Sequence, residues 1–428
     1  MSATVILGAG IIGTSTAYYL AKHQPPSSIH LVEVSPELFA SASGYAGGFL
    51  ARNWFSPASA ALGALSFEEH RKLAEKDDGA EKWGYAQSTS ITLSPPTNSS
   101  AKKVDVWCRD GASRAEAASG DSTKGVAPPW LKREDGDAVE VISDEGTVAQ
   151  VSAAEVTYYP KPASRDPLQL SQHLLKKCLN LGVQLHQPAK AISILTDVRN
   201  EVSSVCIADT RSSTETDIPC TRVIITSGAW SPKVFQTLFP TSSFKLPITS
   251  LAGHSLVVKS PKWTKEHEES HGCHALFMTS QPGYSPEIFS RRGGQIYLAG
   301  LNSATEPLPE LAKDSKENLS RPAIQKLRDT AREILAREGA TEDDFEVTRE
   351  GLCFRPVTED GLPIIGRIPD EHLGPNVRTR RGAEGGVYLA AGHGPWGISM
   401  SLGTGKVLAE MAQGRELSAD ISSLGLRG

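Results

Sequence analysis

The sequence predicts an α/β fold of two units, one of them assembled from separated stretches of chain. Three observations carry this. First, a glycine-rich turn, Gly8-Ala9-Gly10-Ile11-Ile12-Gly13, links an apolar run to a helix-compatible run at the N-terminus. Second, short apolar runs of the same kind recur at Val223–Ile225 and Val387–Ala391, each leading into a Gly-containing turn. Third, the stretches between them have a different texture, which predicts a second unit entered twice. The boundaries are 1-85, 151-245 and 350-428 for the first unit, and 86-150 and 246-349 for the second.

Taken in order, Thr4–Leu7 reads as a buried strand, Gly13–Lys22 as a helix and Ile29–Val34 as a second strand. This is a β-α-β unit of the usual length. Ser41–Leu50 is rich in Gly, Ala and Ser, which leaves the backbone free to approach a ligand. Arg109–Pro129 reads as a loop or insertion, and order returns at Val156. Leu168–Leu181 has the apolar spacing of an amphipathic helix. Strands follow at Val183–His186, Ala191–Leu195 and Val202–Ala208. The second unit offers strand-like runs at Ser255–Val258 and Ile296–Leu298 and a long helix at Pro322–Glu338. A final helix spans roughly 403–413, and no internal repeat is visible.

Composition narrows the function. Net charge is -5, so the broad basic excess of a dedicated nucleic-acid binder is lacking. No apolar run reaches the ~18 residues of a membrane span, and no leader pattern precedes the first strand. The six cysteines include no C-x-x-C pair, and no Cys/His cluster has zinc spacing. The expectation is a cytoplasmic, reduced protein with no metal site. His267, His271 and His274 have helical spacing, but Gly272 argues against a metal use.

The glycine motif carries specific chemistry. Gly8 permits the tight turn, Gly10 lets a pyrophosphate approach the backbone, and Gly13 lets the helix pack on the strand. The helix N-terminus then faces the anion. Glu33, 20 residues after Gly13, can accept both ribose hydroxyls and would repel a 2′-phosphate. The motif with its strand, helix and acid predicts a Rossmann-type dinucleotide site, without separating FAD from NAD.

Four further stretches separate them. They are Ala40-Ser41-Ala42-Ser43-Gly44-Tyr45-Ala46-Gly47-Gly48, then Asp166-Pro167-Leu168, then Ser227-Gly228-Ala229-Trp230-Ser231, and last the C-terminal pair 355–366 and 392–398. In this order the chain resembles the D-amino-acid oxidase, glycine oxidase and sarcosine oxidase superfamily of FAD-dependent oxidoreductases. The Pro395-Trp396-Gly397 variant resembles a fungal branch of it. The resemblance implies a discontinuous Rossmann-type FAD-binding domain and a substrate domain built on an antiparallel sheet. It also implies roles. Gly8, Gly10, Ile12 and Gly13 hold the pyrophosphate, and Glu33 the ribose. Ser41, Ala42, Ser43 and Gly44 run beside the phosphates and ribityl chain, and Ala46, Gly47 and Gly48 lie near the isoalloxazine. The backbone around Lys190 meets the adenine, and Gly228 and Trp230 close over the nucleotide. Gly392, Gly394, Trp396, Gly397 and Ile398 lie under the pyrimidine end of the flavin, where a helix N-terminus stabilises negative charge.

For such a site the resemblance implies hydride transfer from a C–H bond beside an amine, with oxygen or another acceptor reoxidising the flavin. Arg355 matches a carboxylate clamp, for which a planar guanidinium fork is suited, or else it is a structural arginine. Arg52 is a second cationic candidate. His393 stands between two glycines, with a polarising role and a backbone-fitting role both open. Two departures stand out. The stretch Pro395–Ser399 lacks the second cation of amino-acid oxidases, and Trp396 could instead pack a larger or apolar substrate against the ring. The stretch Ser290–Tyr297 has arginines at its turn where sarcosine oxidase-like members have a lysine. Cys353 resembles a covalent flavin anchor, while a buried strand cysteine is the more common state of a free Cys. The leading expectation is oxidation of a small amine or amino-acid-like molecule. The rivals are an FAD dehydrogenase of a hydroxy acid or specialised metabolite, and a flavin-binding adaptor of little turnover.

Overall fold

The short apolar run Thr4–Leu7 is buried at all four positions because it is covered on both faces. In the computed structural model it lies within a six-stranded sheet. The order is Ile364–Arg367, Gly386–Ala391, Arg222–Ile225, Thr4–Leu7, Ile29–Val32, Gln184–His186. All neighbours run parallel except Ile364–Arg367, which is antiparallel to its partner. The sheet thus gathers strands from the start, middle and end of the chain, as the recurring apolar runs predict. The described residues are 3–94, 123–124, 128, 130–131, 138–143, 146–151, 169–278, 284–335 and 343–426.

Strand alternation assigns the two faces. Ile6, Leu31 and Ile224 pack with the helices Ile11–Leu20, Gln169–Leu181 and Gly397–Ala412. Val5, Leu7, Val223 and Ile225 pack on the other side with Ala189–Thr196, Val202–Asp209 and Glu215–Pro219, a small antiparallel sheet, and the helix Ser231–Leu238.

The second sheet has ten strands. Its main order is Glu346–Val357, Thr249–Lys259, Gln295–Ser303, Glu287–Arg291, Cys273–Met278, Ala86–Ser94, Ala138–Val141, Thr123–Lys124. Pairing is antiparallel except between Cys273–Met278 and Ala86–Ser94. Leu256, Val258, Ile296 and Leu298 meet the helix Arg321–Leu335 through Ile324, Leu327 and Ile334. The alternate residues Val257, Phe289 and Tyr297 face the first unit.

Several elements exceed the sequence reading. Thr249–Lys259 and Glu346–Val357 are long strands where only parts were legible. A 21-residue helix, Pro57–Asp77, was not read at all. The final helix begins at Gly397, six residues before the expected start near Gly403. Its glycines are there for close approach: a Cβ on Gly403 would come within 2.8 Å of Ser66, and one on Gly405 within 2.6 Å of the Ser15 backbone. That packing offsets the ~1 kcal/mol helix penalty of each glycine. The Arg109–Pro129 stretch apart from Thr123–Lys124 and 128, the return of order at Val156, the Asp166-Pro167-Leu168 motif and Cys108 lie outside the described residues. No described helix is long and apolar enough to cross a membrane.

Candidate cofactor and substrate cleft

A cleft of about 2070 Å³, its open mouth included, runs between the parallel sheet and the large sheet. Of the residues singled out in the sequence, Gly8, Gly10, Ile12, Glu33, Ser41, Ala42, Ser43, Ala46, Gly47, Lys190, Gly228, Trp230, Cys353, Arg355, His393, Gly394, Gly397 and Ile398 line it. They come from seven separate stretches of chain.

At one end the strand Thr4–Leu7 delivers the glycine turn to the N-terminus of the helix Ile11–Leu20. Gly8 has φ +105°, which disfavours a side chain, and a Cβ there would sit 2.8 Å from the Thr226 carbonyl oxygen. Gly13 does not line the cleft. A Cβ on it would come within 2.0 Å of the Gly8 carbonyl oxygen, so it fits helix to strand as its position in the motif requires. The Ser43 hydroxyl accepts from the Ile11 N–H at 2.9 Å and so joins the turn to the Ser41–Gly48 segment. Glu33 accepts from the N–H groups of Ala9 (3.0 Å) and Ser35 (2.9 Å). Burial raises its pKa against the opposing effect of these backbone bonds. Trp230 donates its indole N–H to the Pro309 carbonyl at 2.8 Å, and Lys233 pairs with Glu310. The 309–310 stretch is therefore tied across this end.

The middle of the cleft is formed by the Ser41–Gly48 segment. Its remaining glycines serve packing. A Cβ on Gly44 would meet the Phe39 carbonyl oxygen at 2.2 Å, and one on Gly48 (φ +83°) the Val151 carbonyl oxygen at 2.1 Å. A Cβ on Gly47 would meet the Phe289 ring at 2.5 Å. Opposite, the helix Gly397–Ala412 points its N-terminus into the cleft through Gly394, Pro395, Gly397 and Ile398. His393 is buried and within 3.1 Å of the Thr404 hydroxyl, and burial drives its pKa down to about 4. It is neutral at pH 7.

A polar row is laid across adjacent strands of the large sheet. Arg355 pairs in register with Leu251, and its guanidinium extends over Gly253 to donate to Asn302 Oδ1 at 2.5 Å. Glu287, Tyr297 and Ser285 line the same cleft. Burial works against the Arg355 charge, but Cys353, Tyr297 and Glu287 outweigh it and raise its pKa.

With this geometry in hand, comparison with known proteins gives a clear result. The family model for FAD-dependent oxidoreductases of the DAO type matches residues 3–411. The chain belongs to the DAO family of FAD-dependent oxidoreductases. Among relatives, the "Putative oxidoreductase C1F5.03c" of Schizosaccharomyces pombe is 27% identical, with 99% of this chain and 97% of that protein covered. The D-amino acid dehydrogenase of Paramagnetospirillum magneticum is 23% identical over 99% of this chain and 97% of its own length. Among solved structures, glycine oxidase from Geobacillus kaustophilus shares the fold, with a TM-score of 0.70 at 18% identity, covering 100% of this chain and 98% of that one.

The cleft of this DAO-family chain fits the family's cofactor. A pyrophosphate needs a helix N-terminus free of Cβ atoms, which Gly8 and Gly10 provide. A ribose needs an acceptor, which Glu33 provides at the end of the second strand.

Some predicted residues stand elsewhere. Arg52 does not line the cleft; it is half-exposed and lies 3.7 Å from Glu68. Trp396 packs with Phe55, Phe49 and Trp54, with ring centroids 5.0, 6.4 and 6.5 Å away, and is not among the lining residues. Gly392, with φ +84°, packs against Thr358. Of the two hairpin arginines, Arg292 reaches Glu81 and Glu268, but Arg291 is the last residue of its strand and is fully buried. The sequence reading missed Gly253, Glu287, Tyr297, Asn302 and Arg349. The signal available was strand alternation: Glu287, Phe289 and Arg291 share one face of a short strand.

Proposed function

We propose that this chain oxidises the C–N bond of a small amine or amino-acid-like molecule, with FAD as the acceptor. What carries the reading is Arg355, a guanidinium whose pKa is raised by its neighbours and which lines the same cleft as the glycine turn. Bound FAD supplies the hydride acceptor for a C–H bond beside nitrogen, after which water hydrolyses the imine.

The residues then divide the work as follows. Gly8, Gly10 and Ile12 receive the pyrophosphate, Gly13 keeps the helix in place, and Glu33 accepts the ribose hydroxyls. Ser41, Ala42, Ser43 and Gly44 run along the phosphates and ribityl chain. Ala46 and Gly47 form the surface beside the ring, with Gly48 packed behind them against Val151. Lys190, Gly228 and Trp230 enclose the adenosine. Gly392, Gly394, Gly397 and Ile398 bring a helix N-terminus to the ring, where it stabilises negative charge. His393 is uncharged, so it fixes this turn through Thr404 and leaves that stabilisation to the helix. Arg355 orients the substrate by its carboxylate, with Asn302 holding the guanidinium. In this reading 1-85, 151-245 and 350-428 form the FAD domain, and 86-150 and 246-349 the substrate domain.

Cys353 lines the cleft, is buried, and its thiol pKa is raised by that burial. The thiolate is the reactive form, so this favours a packing role over a covalent link. Acid precipitation tests it: yellow colour in the supernatant supports non-covalent FAD, and colour retained in the pellet contradicts it.

The function is tested by anaerobic mixing of the FAD-loaded protein with amines, N-methyl amino acids and D-amino acids. Bleaching of the flavin by members of this panel supports the reading. Bleaching only by hydroxy acids, or by nothing, overturns it. Hydrogen peroxide release on admitting air then identifies oxygen as the acceptor.

A further inference from the structure

The Ser41–Gly48 segment is held by the large sheet in an unusual way. Arg349 Nη1 donates to the Gly44 carbonyl at 3.0 Å. The Tyr297 hydroxyl donates to the Tyr45 carbonyl at 3.2 Å. Arg291 Nη2 donates to the Ala46 carbonyl at 3.1 Å and to the Gly47 carbonyl. Four successive carbonyls are thus taken by three side chains from three strands, Glu346–Val357, Gln295–Ser303 and Glu287–Arg291. Phe354 N–H also donates to the Ser41 hydroxyl at 3.1 Å. Arg291 is fully buried and stacks its guanidinium 4.5 Å from the centroid of the Tyr297 ring. Arg349 is buried and lies 5.0 Å from the Tyr45 ring centroid.

We propose that Arg291 and Arg349 are positioning residues for the flavin, fastening the Gly44–Gly47 backbone by its carbonyls and setting two permanent positive charges behind the surface that meets the ring. The inference rests on FAD occupying the cleft with its ring beside Ala46 and Gly47. Backbone direction and charge both point this way. In a trans peptide the N–H of one residue points opposite to the carbonyl of the residue before it. With the Ala46 and Gly47 carbonyls turned to Arg291, the Gly47 and Gly48 N–H groups turn away from it, in a segment whose Ala46 and Gly47 line the cleft. As for charge, arginine is not deprotonated in proteins, and a guanidinium buried behind the segment that would meet the ring would favour the more electron-rich reduced form. Lysine would keep the charge, but its point-like ammonium lacks the fork that grips successive carbonyls.

The test uses the FAD-loaded full chain and the variants Arg291→Lys, Arg291→Met, Arg349→Lys and Arg349→Met. Two readouts are needed, and neither uses a substrate: the FAD dissociation constant from flavin fluorescence, and the flavin midpoint potential against a reference dye without oxygen. The expected result is that each Met variant binds FAD about tenfold more weakly or worse, as for loss of a charged hydrogen bond, and shifts the potential to more negative values. Each Lys variant weakens FAD binding but keeps the potential near that of the unaltered protein. Met variants with an unchanged potential overturn the proposal, whatever their stability. Should the Met variants fail to fold, the Lys variants decide, and Lys variants that bind FAD as tightly as the unaltered protein overturn it. If the unaltered protein itself takes up no FAD, the cofactor reading falls first and this falls with it.

Discussion

Replacing Gly253 with alanine should disable Arg355 without touching its charge. Gly253 lies on the strand Thr249–Lys259, directly beneath the guanidinium. A Cβ there would stand 2.5 Å from Arg355 Nη1 and 2.7 Å from both Cζ and Nη2. Ordinary carbon contacts are about 3.5–4.0 Å, so the guanidinium must move by about 1 Å. Its 2.5 Å bond to Asn302 cannot survive that move unchanged. A misplacement of about 1 Å in a substrate-positioning group costs on the order of 100-fold in rate. The expected outcome for Gly253→Ala is a fall of about 100-fold in kcat/KM, with FAD affinity and Tm close to those of the unaltered protein. The assay is the rate of anaerobic flavin reduction against substrate concentration, alongside FAD titration. Arg355→Met should abolish most activity, and adding Gly253→Ala to it should cost little more, because both act through one group. Full activity of Gly253→Ala, or additive losses in the double variant, would refute the placement of Arg355 as the substrate anchor.

Three other outcomes follow from the same structure. Gly13→Ala should give a protein that does not retain FAD, because a Cβ 2.0 Å from the Gly8 carbonyl oxygen drives the helix off the glycine turn; flavin absorbance after gel filtration reads this. Arg52→Ala should leave activity unchanged and shift stability by less than ~1 kcal/mol, since Arg52 is half-exposed and its contact to Glu68 is long; urea titration and turnover check both. Acid should destabilise the protein below about pH 6.5. His70, His274 and His393 are held at pKa values of about 4 by burial, against 6.5 for the free group. The folded pKa is depressed, so the unfolded chain takes up protons first, and stability is lost as pH falls from 6.5 towards 4. At pH 5 each contributes a loss of about 2 kcal/mol, read from urea midpoints at pH 7 and pH 5, and His70→Phe should flatten the slope.

The nucleotide half of the site was legible because its chemistry is local. A glycine turn, the strand before it, the helix after it and Glu33 lie within one short stretch, so spacing alone constrains their geometry. The substrate half was only partly legible, because it is built across strands. Arg355, Gly253, Asn302 and Glu287 come together through register between four strands that no sequence periodicity reveals. Arg291 and Arg349 illustrate the same limit. An arginine near a hairpin reads as a solvated turn residue, and only the pairing of Arg291 with Gln295 shows that it ends a buried strand. Trp396 stands between Gly394 and Gly397, which do line the cleft, but its side chain joins the Phe49, Trp54 and Phe55 cluster. The late start expected for the last helix has a related cause. Gly397, Gly403 and Gly405 look like helix breakers in one dimension, and in three dimensions two of them are close-packing points.

The most direct test of the whole account is a visible spectrum of the purified protein followed through anaerobic titration with amines and amino acids. The expected result is an oxidised flavin spectrum that bleaches on adding an amine or amino-acid-like molecule and no longer does so in Arg355→Met. A colourless protein that takes up no added FAD, or a flavin that bleaches equally well in Arg355→Met, would contradict it.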